Sequence, residues 1–239
     1  MTRVAVTVDI DWACEPAIEE TLDFLRARGI PVTVFATHRS ARVEAALSEI
    51  EVGLHPYFAE DSSHGRTIED VVRAVLDLPH NVAAFRCHRF AVSNESNLAM
   101  AQAGMRICSN VCTDLEVVPP FVERSGLLEV PISLEDGTYL LRGHPLEYND
   151  RLHAAFVASG TRVLVLHPMH FAVNTPHFGY MKEIKRSFSR EAWNGMTRTT
   201  LDRIRWRGRG IRDLVSDLLD RGFETSTLGQ IAQQRTSRA

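Results

Sequence analysis

The 239-residue chain has no apolar run long enough to cross a bilayer, which excludes a membrane-spanning helix. Its N-terminus, "MTRVAVTVDI", lacks the charged, apolar, small-residue order of an export signal, and a cytoplasmic location is the expectation. A disulfide framework is lacking too. Of Cys14, Cys87, Cys108 and Cys112, only the last two share a metal-like spacing, and the other half of such a site is missing, so small buried thiols are expected. No repeat, low-complexity tract or linker interrupts the chain, and one domain over residues 1–239 is the simplest parse.

The net charge of −3 conceals an asymmetry, because the segment from Lys182 to Arg212 holds ten basic residues. Such a segment attracts anions, and a phosphate-bearing partner and a plain solvated face are equal readings of it. Nucleic acid is not expected, since no stacking platform is interleaved with the basic residues.

What the chain does have is alternation. Strand-like "RVAVTVD" precedes a helical pattern in "EPAIEETLDFLRARG", and the same order recurs through "PVTVFAT", "EVGLH", "VAAFRCH", "RICSNV", "TRVLVLH" and "FETST". "LLEVPISL" reads as a strand broken by Pro131, hence an edge or an end. Regular βα alternation with short connections implies a parallel sheet, closed as a barrel or open and doubly wound. Two stretches, about Asn110 to Gly126 and Thr175 to Gly210, show no period and are expected to be long loops near a site.

Ionisable residues stand where parallel βα folds build their sites, at the C-terminal ends of strands. Asp9 and Asp11 end the first strand, His55 the third, Arg86 and His88 the fourth, and His167 the strand "TRVLVLH", with His170 shortly after. Were the first strand to persist, Asp9 and Asp11 would share one face and repel, unless a positive group sat beside them. One carboxylate and two imidazoles suffice for a catalytic divalent metal with an open position, zinc being the natural choice. Such an ion lowers the pKa of its bound water to roughly 7 and polarises a carbonyl oxygen. The second carboxylate is then free to act as a general base, an arginine beside it keeps it oriented, and a histidine across the rim can protonate a leaving group. Tyr57, Phe58, Trp12 and Phe90 flank these positions, where they could stack on a sugar ring or simply pack.

The order of "TVDID", "EVGLH", "FRCH" and "LVLH" resembles the polysaccharide deacetylase superfamily, the NodB-homology group also called carbohydrate esterase family four. The resemblance implies a distorted (β/α)7 barrel and metal-dependent removal of acetyl groups from sugars. Carried over by position, it makes Asp9 the base, Asp11 and His55 metal ligands, Arg86 the partner of the base and His167 the acid. The chain departs from the pattern where Ile10 separates the aspartates and where Ala59 stands in place of a second metal histidine. His64, in "SSHG", is the expected replacement, by likeness to a subset from surface-polysaccharide gene clusters. His88, His170, Tyr57 and Trp12 are left as substrate-binding candidates, His88 also as an alternative ligand. The expected substrate is an acylated amino sugar or polysaccharide precursor. A small-amide amidase and a non-catalytic carbohydrate-binding relative are the rival readings.

Overall fold

The structure, a computed structural model, describes residues 2–236. Ten strands form one sheet: β1 Thr2–Asp9, β2 Thr33–Ala36, β3 Glu51–Leu54, β4 Ala84–Phe85, β5 Ile107–Cys108, β6 Phe121–Val122, β7 Leu128–Glu129, β8 Leu134–Glu135, β9 Gly160–Leu166 and β10 Glu224–Ser226. Their order is β6-β7-β5-β4-β3-β2-β1-β9-β8, with β10 added to β1, and every pairing except β6 with β7 is parallel. This is the α/β, distorted (β/α)7 barrel that the alternation and the resemblance together led one to expect.

Alternation along each strand divides the core in two. Val4, Val6 and Val8 of β1 pack outward with Leu164 and Leu166 of β9 against the surrounding helices. Ala5 turns inward, where it meets Phe35, Ala84, Ile107, Val130, Ile132, Val163 and Val165, and the helix Leu228–Thr236 adds Leu228 and Ile231 to this inner cluster. The inner face of β1 then changes character: after Ala5 come Thr7 and Asp9, both buried and polar. The floor of the barrel is therefore apolar and its C-terminal rim is polar.

The broken strand has a role beyond an edge. At its start Leu128 and Glu129 pair with β5, and at its end Leu134 and Glu135 pair with β9, so one run of chain links the two margins of the curled sheet. Pro131, which has no N–H to donate, lies between the two pairings.

The stretch from Thr175 to Gly210, expected as loop, is largely helical: Phe178–Arg186, Arg190–Asn194 and Arg198–Ile204. His177, Ser189 and Thr197 each accept a backbone N–H at the start of one of them, and Met181, Ile184, Trp193 and Leu201 sink into the outer core. Four of the ten basic residues from Lys182 to Arg212 are held in ion pairs. Arg205 and Arg212 pair with Glu20, Arg198 with Glu19, and Arg209 with Asp217. No helix among the described residues is long and apolar enough to cross a membrane.

Candidate active site

The polar residues gather at the C-terminal ends of the strands, where backbone groups run out of ladder partners and side chains can converge. β1 stops at Asp9. Asp11 and Trp12 then adopt left-handed backbone, φ 41° and 51°, and the Trp12 N–H donates to Thr37 Oγ1 at 3.2 Å. A turn, rather than strand alternation, thus aims the Asp11 carboxylate.

Asp11 Oδ1 lies 3.1 Å from His55 Nε2 and 2.8 Å from His88 Nδ1. Burial opposes its charge, but hydrogen bonds from His55 and His88, with His167 nearby, outweigh it and hold the carboxyl well below the usual carboxylate range. His55 Nδ1 is buried with no partner among the described residues, so the ring's polar engagement is through Nε2, which also stands 4.0 Å from Asp9 Oδ2. One carboxylate oxygen and two imidazole nitrogens within 4.8 Å of one another are the donor chemistry of a divalent transition metal, and Asp11, His55 and His88 fit one.

On the inner side, Arg86 Nη1 donates to Asp9 Oδ1 at 2.7 Å and to Thr7 Oγ1 at 2.8 Å, Nε donates to the Ser109 carbonyl and Nη2 to Ser109 Oγ. Its guanidinium lies 4.6 Å from the centroid of the Phe35 ring. Across the rim, His167 Nδ1 is 2.5 Å from Asp136 Oδ1, and Nε2 faces Asp11 Oδ2 at 3.6 Å. Burial would lower the His167 pKa, yet Asp136 foremost, then Asp11 and Glu135, raise it well above the ordinary value, which favours the protonated ring. A cavity of about 430 Å³ opens over Asp9, Asp11, His55, His88 and His167, with an apolar wall that includes Phe178 and Met181.

The family model of WbmS-like polysaccharide deacetylases matches residues 6–185, which carry every strand-end group just described. The chain belongs to this family. Among solved structures, WbmS of Bordetella bronchiseptica, assigned as a polysaccharide deacetylase involved in O-antigen biosynthesis, superposes with a TM-score of 0.80 at 24% identity, over 92% of this chain and 90% of that one. A Mycobacterium smegmatis protein assigned as a polysaccharide deacetylase gives 0.56 at 16% identity, over 99% and 91%. No curated protein sequence matches. Membership of the WbmS-like polysaccharide deacetylases supports an enzyme that deacetylates a polysaccharide.

In this WbmS-like chain the structure brings Asp9, Asp11, His55, His88 and His167 around one cavity, His170 lines it as well, and Arg86 lies buried behind Asp9. His64 does not turn its ring nitrogens to that group: Nε2 bonds the Thr37 carbonyl at 2.7 Å and Nδ1 accepts the Tyr57 N–H at 3.2 Å. Burial lowers its pKa, in keeping with a neutral ring stapling two loops together. His170, buried beside Phe178, has its pKa pushed down to about 4 by that burial. Tyr57 and Trp12 line an adjoining cavity. Cys108 is buried with Sγ on Glu129, and no cysteine belongs to a metal-like group among the described residues.

Four contributors escape a sequence reading. Asp136 and Glu135, in "SLEDG", end the strand that Pro131 disguises. Ser109 grips Arg86, and Glu129 accepts the Asn110 and Val111 N–H groups that shape the loop behind it. Two consecutive acids after an apolar run were the available signal for the first pair.

Proposed function

We propose that the protein is a metal-dependent deacetylase removing an acetyl group from an amino sugar of a surface-polysaccharide precursor, with Asp11, His55 and His88 holding the ion, Asp9 as base and His167 as acid. The observation that carries this reading is the opposition of two pairs across one cavity, Asp9 with Arg86 and His167 with Asp136. A bound divalent cation, zinc by donor preference, supplies Lewis acidity toward the acetyl carbonyl and acidity to water.

The chain's own residues divide the proton work. Arg86 occupies Oδ1 of Asp9, which leaves Oδ2, near His55, to take a proton from the attacking water. His167 holds its proton at Nε2 toward the cavity, because Nδ1 donates to Asp136, and delivers it to the departing amine or alcohol. Asp136 also accepts the His167 N–H at 2.7 Å, which fixes the ring's position relative to its own backbone. The apolar wall excludes water from the leaving-group side.

Metal analysis tests the ligand set. Wild type should retain about one divalent ion per chain, D11A, H55A and H88A should lose it, and H64A should keep it. Stoichiometric metal in the first three variants, or wild type without affinity for any divalent ion, would sink the reading. Acetate release from an acetylated hexosamine oligomer tests the reaction.

A further inference from the structure

The second cavity, about 370 Å³, adjoins the first, and Asp11, His88, Arg89, Lys185 and Trp193 wall both. We propose that Arg89, Lys185 and Arg190 make it an anion subsite, so that the saccharide substrate carries an acidic group, a carboxylate or a phosphate, on the side of the Asp11–His88 wall away from the acetyl group. This rests on the deacetylase reading above and names the substrate class within it.

Arg198, Arg205, Arg209 and Arg212 of the basic segment end on carboxylates and serve the fold. Arg89, Lys185 and Arg190 have no carboxylate within ion-pair distance among the described residues, and each lies against an aromatic ring instead. Lys185 Nζ is 5.5 Å from the Trp193 ring centroid, the Arg190 guanidinium 5.6 Å from that of Trp12, and the Arg89 guanidinium 5.4 Å from that of Tyr57. An aromatic face holds a cation in place without cancelling its charge, so a ligand can still use it. Arg89 is further fixed by donating to the Tyr57 hydroxyl at 2.7 Å.

The cavity contains one carboxylate outside the reacting group. Asp61 accepts the Tyr57 hydroxyl at 2.6 Å, and three cations line the same cavity. Tryptophan and tyrosine walls beside unpaired cations suit a pyranose that bears an oxyanion, with the ring on the aromatic surface and the charge on Lys185 and Arg190. The attraction that the basic segment suggested is thereby reduced to two of its ten basic residues and joined by one from outside it.

Binding can be read without turnover, because Trp12 and Trp193 line the cavity and report occupancy by fluorescence. Three probes separate the cases: an N-acetylglucosamine trisaccharide, the same length with an N-acetylhexosaminuronate unit, and UDP-N-acetylglucosamine. Wild type at low salt should bind an anionic probe about tenfold more tightly than the neutral one, with the preference shrinking at high salt. The arm that carries the preference identifies carboxylate or phosphate. In the K185Q/R190Q double variant, with its melting curve checked, the ratio of anionic to neutral affinity should fall toward one. Equal affinities in wild type, or a preference unchanged in the double variant, overturn the subsite. Acetate release without a preference leaves the deacetylase standing and removes the subsite, whereas a preference without acetate release from any probe does the reverse.

Discussion

Two arginines, Arg86 and Arg162, are both 0% exposed, and they answer the cost of a buried charge in different ways. Arg86 lies inside the barrel against a carboxylate, a hydroxyl pair and one carbonyl. Arg162, on the outward face of β9, spends its donors on the carbonyls of Ala155 and Ala158, at the C-terminal end of the helix Asp150–Val157, and on that of Thr161 in its own strand. Partial charges at a helix end stabilise a cation but cannot accept a proton in a reaction. Burial accordingly pulls the Arg162 pKa below its ordinary value. A buried charge marks a reactive site only when its counter-charge can itself do chemistry, and only Arg86 has such a partner.

The sharpest break in this contrast is Asp9→Asn, which keeps the shape of the Arg86 pair and removes the basic oxygen. Turnover should fall about 10³-fold, roughly 4 kcal/mol of barrel-rim chemistry, with metal content retained. A variant that hydrolyses at the wild-type rate removes Asp9 as base. Next in size, Arg86→Met strands the Asp9 carboxylate, and urea unfolding should report a loss of about 3–5 kcal/mol. A loss under about 1 kcal/mol would mean that the pair is not desolvated as described.

His170 offers a third solution, a buried base that surrenders its charge. Its folded pKa of about 4 lies below the ordinary histidine value, so the unfolded chain binds more protons between the two. Stability is then whole above about pH 6.5 and declines as pH falls toward 4, by roughly 3 kcal/mol in all. Removing the imidazole with His170→Gln should flatten that part of the stability profile; an unaltered slope assigns it elsewhere. The smallest effect expected is for Arg162→Met, which forfeits carbonyl hydrogen bonds without orphaning a charge. Thermal melts should show a loss of roughly 2 kcal/mol, and kcat/KM of the folded variant should match wild type. A catalytic defect in a well-folded variant would erase the distinction between the two arginines.

Much of the barrel was legible because strand and helix patterns alternate cleanly, and strand-end Asp9, His55, Arg86 and His167 share a rim for that reason. Which of His64 and His88 stands against Asp11 was not legible. Both follow strands in polar loops, and what separates them is that the Tyr57 N–H and the Thr37 carbonyl occupy the His64 ring, a contact no local pattern encodes. The helices between Thr175 and Gly210 were hidden because Met181, Ile184, Trp193 and Leu201 are divided among three short segments, none long enough to sustain a period. Asp136 was obscured by Pro131, which made its strand look marginal. Asn110 to Gly126 did remain mostly irregular, with only the two-residue β6 inside it.

That same marginal strand governs how the site comes into being. Asp136 follows directly on β8, so the carboxylate that pairs with His167 arrives at the rim on the run of chain that also bridges the sheet's two margins. Asp9 and Arg86, by contrast, are supplied by strands on the continuous side of the curl. Joining the margins and placing the carboxylate that pairs with His167 are therefore a single structural event. A chain whose seam is open keeps the Asp9–Arg86 pair but leaves His167 without its carboxylate partner.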